Sequence, residues 1–348
     1  MNLSLLSSLS VHNLAAVLDG RQDCVLGGSL IALPAKVTEA FAWPQQRLRA
    51  ALPGLAEDSI NELWLADTPC QSGESAGLRW RRSASVLFGV IELDESEFPP
   101  REGSSPLQDA SAEAYRRIFS LLDSQQLPHL WRVWNYLAEI NAETAGLERY
   151  RQFNIGRQDS FLEFRRGATG NVPAACALGV AGGPLSIAFM AGAHPAVPVE
   201  NPRQVSAYNY PTEYGPRSPI FSRAVLVYPP GQEILFISGT ASIVGHQTVH
   251  PGDLVGQCRE SVANISAVLD EANRLACSAP FVLSELSYRI YIRHAADLAR
   301  VRDALPALIG VEAAVVFVQA DICRLDLLIE IEAFASHPRG VADGQPEK

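Results

Sequence analysis

The stretch Cys323-Arg324-Leu325-Asp326-Leu327-Leu328-Ile329-Glu330-Ile331-Glu332-Ala333-Phe334 reads as a tight turn feeding a strand. Leu327, Ile329 and Ile331 alternate with Leu328, Glu330 and Glu332, the period-two pattern of a strand with two unlike faces. Two glutamates on one face of an aliphatic strand have two readings. Either that face is solvated, as is common on antiparallel sheets, or a carboxylate is aimed into a cleft. The rest of the chain bears on the choice, because it contains this unit twice.

From residue 80 the order is a strand region (80–93), a loop (98–106) and an amphipathic helix (109–122) with Ala114, Ile118, Leu121 and Leu122 at helical spacing. A strand (130–137), a helix (143–153) and two strands (172–180 and 185–191) follow. Ala181-Gly182-Gly183-Pro184 between the last two predicts a hairpin. From Arg223 the order recurs. Strands 224–228 and 233–238 are joined by Pro229-Pro230-Gly231. A long helix spans 253–277 with Asp253 as N-cap. A strand (283–293), a helix (295–308) and strands 313–318 and 327–334 complete it. Residues 1–60 are weakly patterned: 12–18 reads as a short helix or strand and 44–52 as helical.

This duplicated order predicts an α+β fold of two tandem β-sheet domains, each with helices packed on one face. The expected division is 1–200, 201–335 and a disordered tail at 336–348. Aligning the closing strands sets Ala188 opposite Glu330. An acid in one copy alone points to a task only one copy performs, although divergence gives the same pattern.

Composition bounds the function. The 348 residues are 47% apolar and 19% charged, as in ordinary globular domains, and no apolar run suits a membrane span. The start Met1-Asn2-Leu3-Ser4 lacks the basic residues of a secretory signal. Six scattered cysteines without a CxxC pair argue against a zinc site or disulfide framework and for a reducing cytoplasm. A formal charge of −10 argues against general nucleic-acid binding, so an anionic ligand needs a local arginine cluster. The seven histidines show no HxH or HExxH spacing, so no catalytic metal is expected. Walker and GxGxxG motifs are absent.

Three constellations remain. In Ser238-Gly239-Thr240-Ala241-Ser242 an apolar strand runs into small residues, and Gly239 marks either a bulge or a pocket floor. The loop from Tyr208 through Tyr210, Tyr214 and Arg217 to Arg223 combines phenols and guanidinium forks that suit carboxylates, or it is a surface loop with packed tyrosines. Arg151, Arg157 and Arg293 are further candidates. Cys323 is a small thiol for lining a pocket rather than a nucleophile.

The closing strand Ile329-Glu330-Ile331-Glu332-Ala333 resembles the YjgF/RidA-like fold. Residues 238–246 (SGTASIVGH) and 150–157 (YRQFNIGR) are similar to the chorismatase family, within it to the bifunctional branch forming 3- and 4-hydroxybenzoate for xanthomonadin-type pigments and quinones. The resemblance implies chorismate as substrate, no cofactor, and Glu330 as catalytic acid. It implies Gly239 and Cys323 as the pocket pair that separates hydroxybenzoate formation from hydrolysis. It implies substrate contacts from Arg157, Tyr208, Tyr214, Arg217, Arg223 and Arg293, and a monomer or small homo-oligomer, a trimer included. The alternatives are a hydrolase giving a dihydroxycyclohexadiene carboxylate, a RidA-like imine deaminase relying on Arg293, and a non-catalytic carboxylate sensor. Cys323 and Glu330 are seven apart, so an unbroken strand would set them on opposite faces; the turn at 324–326 is expected to bring them together.

Overall fold

A computed structural model describes residues 3–9, 14–32, 41–53 and 59–339; His12 and residues 340–348 of the expected tail lie outside them, whereas 336–338, expected in that disordered tail, continue the closing strand. The strands fall into three principal sheets. The first holds β1 (Ser4–Leu9), β2 (Val25–Ala32), β3 (Gln45–Arg49) and β4 (Ser59–Leu65) in the order β1-β4-β2-β3, with the short helix α1 (Leu14–Leu18) beside it. The second holds β5 (Gln71–Ser75), β6 (Leu78–Ser83), β7 (Val86–Leu93) and β8 (His129–Ala138). After a small ribbon of β9 (Glu143–Thr144) and β10 (Leu147–Glu148), it adds β11 (Ala174–Val180) and β12 (Leu185–Gly192). Its order is β11-β8-β12-β7-β6-β5. The third contains β13 (Val197–Val199), β14 (Ala224–Val227) and β15 (Gln232–Thr240), then, beyond a second ribbon of β16 (Ile243–Val244) and β17 (Gln247–Thr248), β18 (Ser287–Ile292), β19 (Ala314–Gln319) and β20 (Ile329–Pro338). Its order is β13-β14-β15-β20-β18-β19.

The expected duplication is present, and it extends to a third sheet that the sequence did not announce. In each sheet one parallel pair (β2/β3, β8/β11, β18/β19) lies beside an antiparallel closing strand (β4, β12, β20), which pairs in turn with β1, β7 or β15. Helices α2 (Pro106–Ser124) and α3 (Arg149–Glu163) cover one face of the second sheet. Helix α4 (Leu254–Leu275) and the shorter α5 (Leu298–Ala304) and α6 (Pro306–Ile309) cover one face of the third. The opposite faces of all three sheets meet in one core, where Leu26, Trp64, Phe88, Trp134, Phe236 and Tyr291 are buried together. Each such side chain taken out of water contributes about 2–3 kcal/mol. Capping places the long helices: Ser105 accepts the Gln108 N–H before Pro106, and Asp253 accepts that of Gly256.

Three local expectations are corrected. Residues 44–52 are not helical, because Gln45–Arg49 pairs parallel with β2, and tertiary pairing overrides the helix preference of a Gln/Arg/Leu run. Residues 181–184 do not close a hairpin. β8 lies between β11 and β12, so this four-residue link must step over a strand. Finally, the helix expected at 143–153 begins only at Arg149. Ala145 (φ 50°) and Gly146 (φ 75°) turn β9 into β10 with the positive dihedrals of a tight hairpin.

Candidate active site

A cavity of about 470 Å³ opens between the second and third sheets, within the roughly 300–1,000 Å³ of small-molecule sites. The β9/β10 ribbon and the start of α3 supply Leu147, Tyr150 and Arg151. The link from β13 to β14 in the third sheet supplies Tyr210, Tyr214, Phe221 and Arg223. The third sheet supplies Gly239, Ala241, Cys323, Arg324 and Glu330. A smaller extension of about 30 Å³ reaches inward to Arg157 and Cys176.

Glu330 is the buried carboxyl of the cavity. On β20 it pairs with Tyr291 of β18, on the face that looks into the shared core, just as Ala188 pairs with Trp134 in the second sheet. It is 3% exposed. Among the described residues it makes no hydrogen bond or ion pair, so its carboxyl faces the cavity unengaged. Burial pushes its pKa up to about 8; the Glu332 carboxylate adds to the rise and Arg132 opposes it. A carboxylic acid at neutral pH is therefore available to donate a proton.

A β-bulge makes room for that acid. Ile237 pairs with Ala333 and Thr240 with Ile331, so β15 carries one residue more than β20 at this point. The bulge is pinned by Ser238, whose hydroxyl accepts the Ala175 N–H (2.9 Å) and donates to the Ser222 carbonyl (2.6 Å). A Cβ on Gly239 would lie 1.9 Å from Oε1 of Glu330 and 3.2 Å from Cβ of Cys176.

The link from β19 to β20 builds the opposite wall. It covers residues 320–328, against four residues at the corresponding place in the second sheet. It turns where Leu327 N–H meets the Arg324 carbonyl, and so brings Cys323 and Glu330 to one cavity. Burial pushes the Cys323 thiol up to about 12, with the neighbouring Glu330 adding to it. Such a thiol stays neutral and is a lining group, not a nucleophile. Burial also raises the Tyr150 phenol and the Cys176 thiol. The phenol and the two thiols lining the inner pocket with Glu330 are thus biased to their neutral forms.

Cations gather nearer the mouth. The Arg324 guanidinium lies 4.1 Å over the Tyr214 ring and 5.4 Å from that of Tyr210, and it donates to the His246 carbonyl (2.9 Å). Arg223, 5% exposed, donates to the Tyr210 hydroxyl (2.9 Å), and its Nε has no partner. Arg151 reaches Glu148 at 3.1 Å. Arg157 is packed against Tyr115, Phe153 and Phe161 and donates to the Ile220 carbonyl, leaving its own Nε without a partner.

Of the sequence candidates, Glu330, Cys323, Gly239, Tyr214 and Arg223 meet at the cavity, and Arg157 lies at its inner extension. Three do not. Tyr208 packs against the core of the second sheet. Arg217 faces solvent near Asp159 at 3.7 Å. Arg293 is engaged elsewhere: it donates to the carbonyls of Leu327, Ile322 and Arg324 and pairs with Asp321, stapling the 320–328 link. That removes the arginine on which the imine deaminase alternative relied. Tyr210 of the expected tyrosine loop also lines the cavity, and Arg324 and Tyr150 join it unexpected, although Arg324 follows Cys323 directly. Among the described residues no cluster of His, Cys, Asp or Glu could hold a metal ion, and no helix is long and apolar enough to cross a membrane.

Comparison with known proteins places the chain among relatives of one family. Residues 62–191 match the family described as chorismatase FkbO/Hyg5-like, N-terminal. The chain is 38% identical over 285 residues to a chorismatase of Streptomyces hygroscopicus, covering 80% of each. It is 34% identical over 307 residues to a 3-hydroxybenzoate synthase of the same organism, covering 83% of this chain and 85% of the other. A chorismatase crystal structure superposes with a TM-score of 0.84 at 33% identity, over 96% of this chain and 98% of that one.

Proposed function

The chain belongs to the chorismatase family, and on that premise we propose that it converts chorismate to pyruvate and hydroxybenzoate with Glu330 as the acid. The observation that carries the proposal is the unengaged, buried carboxyl of Glu330, protonated toward pH 8, in a cavity bearing arginines.

Glu330 donates its proton to the methylene carbon of the enolpyruvyl ether. Proton transfer to carbon is slow, so the acid must be held close and kept protonated. The oxocarbenium that results weakens the bond from C3 to the ether oxygen. That bond breaks with its electron pair going to oxygen, and pyruvate leaves. If the C4 hydroxyl oxygen attacks C3 as pyruvate departs, an epoxide forms and its proton returns to Glu330. Opening of the epoxide at C4, with loss of the C3 hydrogen as a proton and protonation of the oxygen, gives 3-hydroxybenzoate. Loss of the C4 hydrogen as a proton gives 4-hydroxybenzoate instead. Both routes are redox-neutral and consume no water, so neither calls for a cofactor.

Arg223, Arg324 and Arg151 hold the two carboxylates, with Tyr210 and Tyr214 orienting the ring and Arg157 supporting the pocket from within. Gly239 and Cys323 keep the space beside Glu330 small and dry, which favours the internal route over hydrolysis. The relative named as a 3-hydroxybenzoate synthase supports 3-hydroxybenzoate as a product. The sequence resemblance supports the finer reading, in which 4-hydroxybenzoate is formed as well and the products feed pigment and ubiquinone precursors in the cytoplasm. Residues 201–335 then form the catalytic part and 1–200 its partner, with the first sheet as a helix-poor copy. Three sheets closing on one core favour a monomer.

The test is incubation of the purified protein with chorismate, without added metal or cofactor, and chromatography of the products. Equal amounts of pyruvate and hydroxybenzoate are expected. Pyruvate with a dihydroxycyclohexadiene acid means hydrolysis and overturns the roles given to Gly239 and Cys323. Absence of pyruvate overturns the whole reading.

A further inference from the structure

Behind Glu330 lies a group of buried charges that the reaction does not touch. Glu332 follows two residues on, so both acids project from the same face of β20. Glu332 is ion-paired with Arg132 of β8 and, at 3.2 Å, with Arg289 of β18. Arg289 also pairs with Glu62 of β4 and donates to the Tyr136 and Tyr291 hydroxyls at 3.1 and 3.3 Å. Glu62 accepts from the Ser7 hydroxyl at 3.0 Å. Arg132 is 2% exposed, Glu62 5% and Glu332 6%. The three sheets occupy this layer in order. Ser29 faces Glu62 in the first, Arg132 faces Met190 in the second, and Arg289 faces Glu332 in the third. Each arginine reaches the acid of the following sheet: second to third, and third to first. Two guanidinium groups thus meet two carboxylates, and the group is neutral as a whole.

We propose that Glu62, in the N-terminal sheet, is a positioning residue for Glu330: by occupying Arg289 it keeps this buried layer neutral, so that no uncompensated cation draws the proton off the acid. The inference rests on the reading of Glu330 as proton donor. It assigns a task to a sheet that contributes no side chain to the cavity walls.

The groups that face Glu330 come from every element packed against it, and Arg289 and its charged partner Glu62 act on it through Glu332 and Arg132. Its own strand presents Glu332. β8 presents Arg132, and β11 presents the Cys176 thiol, which sits beside Glu332 as well. Helix α3 presents Tyr150 and Arg157, and the 320–328 link presents Cys323. β18 presents Tyr291, and β15 presents Gly239, which carries no charge. Neutralising Glu62 leaves the layer with one excess positive charge. A unit charge about 10 Å from a buried carboxyl, at an effective dielectric constant of ~20, moves its titration by about one pH unit.

The test is the pH profile of kcat/KM for chorismate cleavage in the wild type, Glu62→Gln, Glu62→Asp and Arg289→Gln, with thermal melts at each pH. In Glu62→Gln the basic limb should move about one pH unit toward acid, with activity recovered below about pH 6. Glu62→Asp keeps the charge and should keep the wild-type limb. Arg289→Gln leaves one excess negative charge and should move the limb the opposite way, so either variant decides the matter if the other fails to fold. In parallel, an infrared carboxyl titration referenced to Glu330→Gln reads the proton on Glu330 without turnover. A limb and a carboxyl titration that both stay in place, whatever happens to the melting temperature, overturn the proposal. If the carboxyl titration moves while the limb does not, the electrostatic role stands and the reading of Glu330 as proton donor fails.

Discussion

Gly239 and Glu330 lie on neighbouring strands so close together that a methyl group on the glycine would stand 1.9 Å from the carboxyl oxygen of the glutamate. The carboxyl occupies the place a side chain at 239 would take. The bulge in β15 and the acid on β20 are therefore one device, and neither works as placed without the other.

Gly239→Ala tests that device. The methyl group must push the Glu330 carboxyl aside, since the Cys176 Cβ closes the other direction at 3.2 Å. A displacement of about 1 Å at a reacting group costs on the order of 100-fold in rate. Hydroxybenzoate formation should fall by about that factor, with a larger share of any remaining pyruvate accompanied by the dihydroxy acid. An unchanged rate and product ratio on chromatography would separate Gly239 from the chemistry.

Glu330→Gln keeps the shape and removes the proton. Turnover should fall about 10²–10⁴-fold, while chorismate binding, followed by calorimetry, stays within a few-fold. Near-normal pyruvate release from this variant would exclude Glu330 as the donor.

The same substitution has an opposite effect on stability at high pH. Folding raises the Glu330 pKa from its ordinary 4.5 to about 8. The native state therefore favours the protonated form. Its contribution is intact below about pH 4.5 and is lost as pH rises through about 8. At about 1.4 kcal/mol per pH unit that loss reaches about 3–5 kcal/mol. Denaturant melts of wild type and Glu330→Gln should converge near pH 4.5 and separate in favour of the glutamine variant at pH 8.5.

The pH dependence of the reaction follows from the same group. Only protonated Glu330 is active, so kcat/KM should be level up to about pH 7 and fall tenfold per pH unit above about 8. A basic limb absent up to pH 9.5 would mean that another group supplies the proton.

Arg324→Ala removes a guanidinium held over two tyrosine rings at the cavity. A charge-assisted hydrogen bond to a carboxylate is worth about 1.5–3 kcal/mol, so KM should rise about 10–150-fold. Arg324→Lys should recover little of it, because an ammonium group neither stacks as well nor offers a fork. Steady-state kinetics with chorismate checks both.

The acid and the duplicated order were legible because both are local: an alternating strand and a string of elements in sequence. The first sheet was not, because residues 1–60 are weakly patterned and Gln45–Arg49 reads as helix until β2 pairs with it. Arg293 and Arg324 show the limit for the site. Both are arginines near the closing strand, and nothing in their neighbours says that one staples the link through backbone carbonyls while the other lines the cavity. That difference comes from how the 320–328 link folds. The hairpin signal at 181–184 failed for a related reason, since a link's length and glycines do not show which strand lies between its ends.

The three-sheet core has a consequence for how this chemistry can change. In a ring of three identical chains, one mutation alters three clefts simultaneously, and each must tolerate it. Here the three equivalent positions are written separately along one chain. An extra residue in β15, a long link before β20 and an acid at 330 coexist with an alanine at 188 and a short link at 181–184. One cleft is free to specialise without the same change being imposed on the other two.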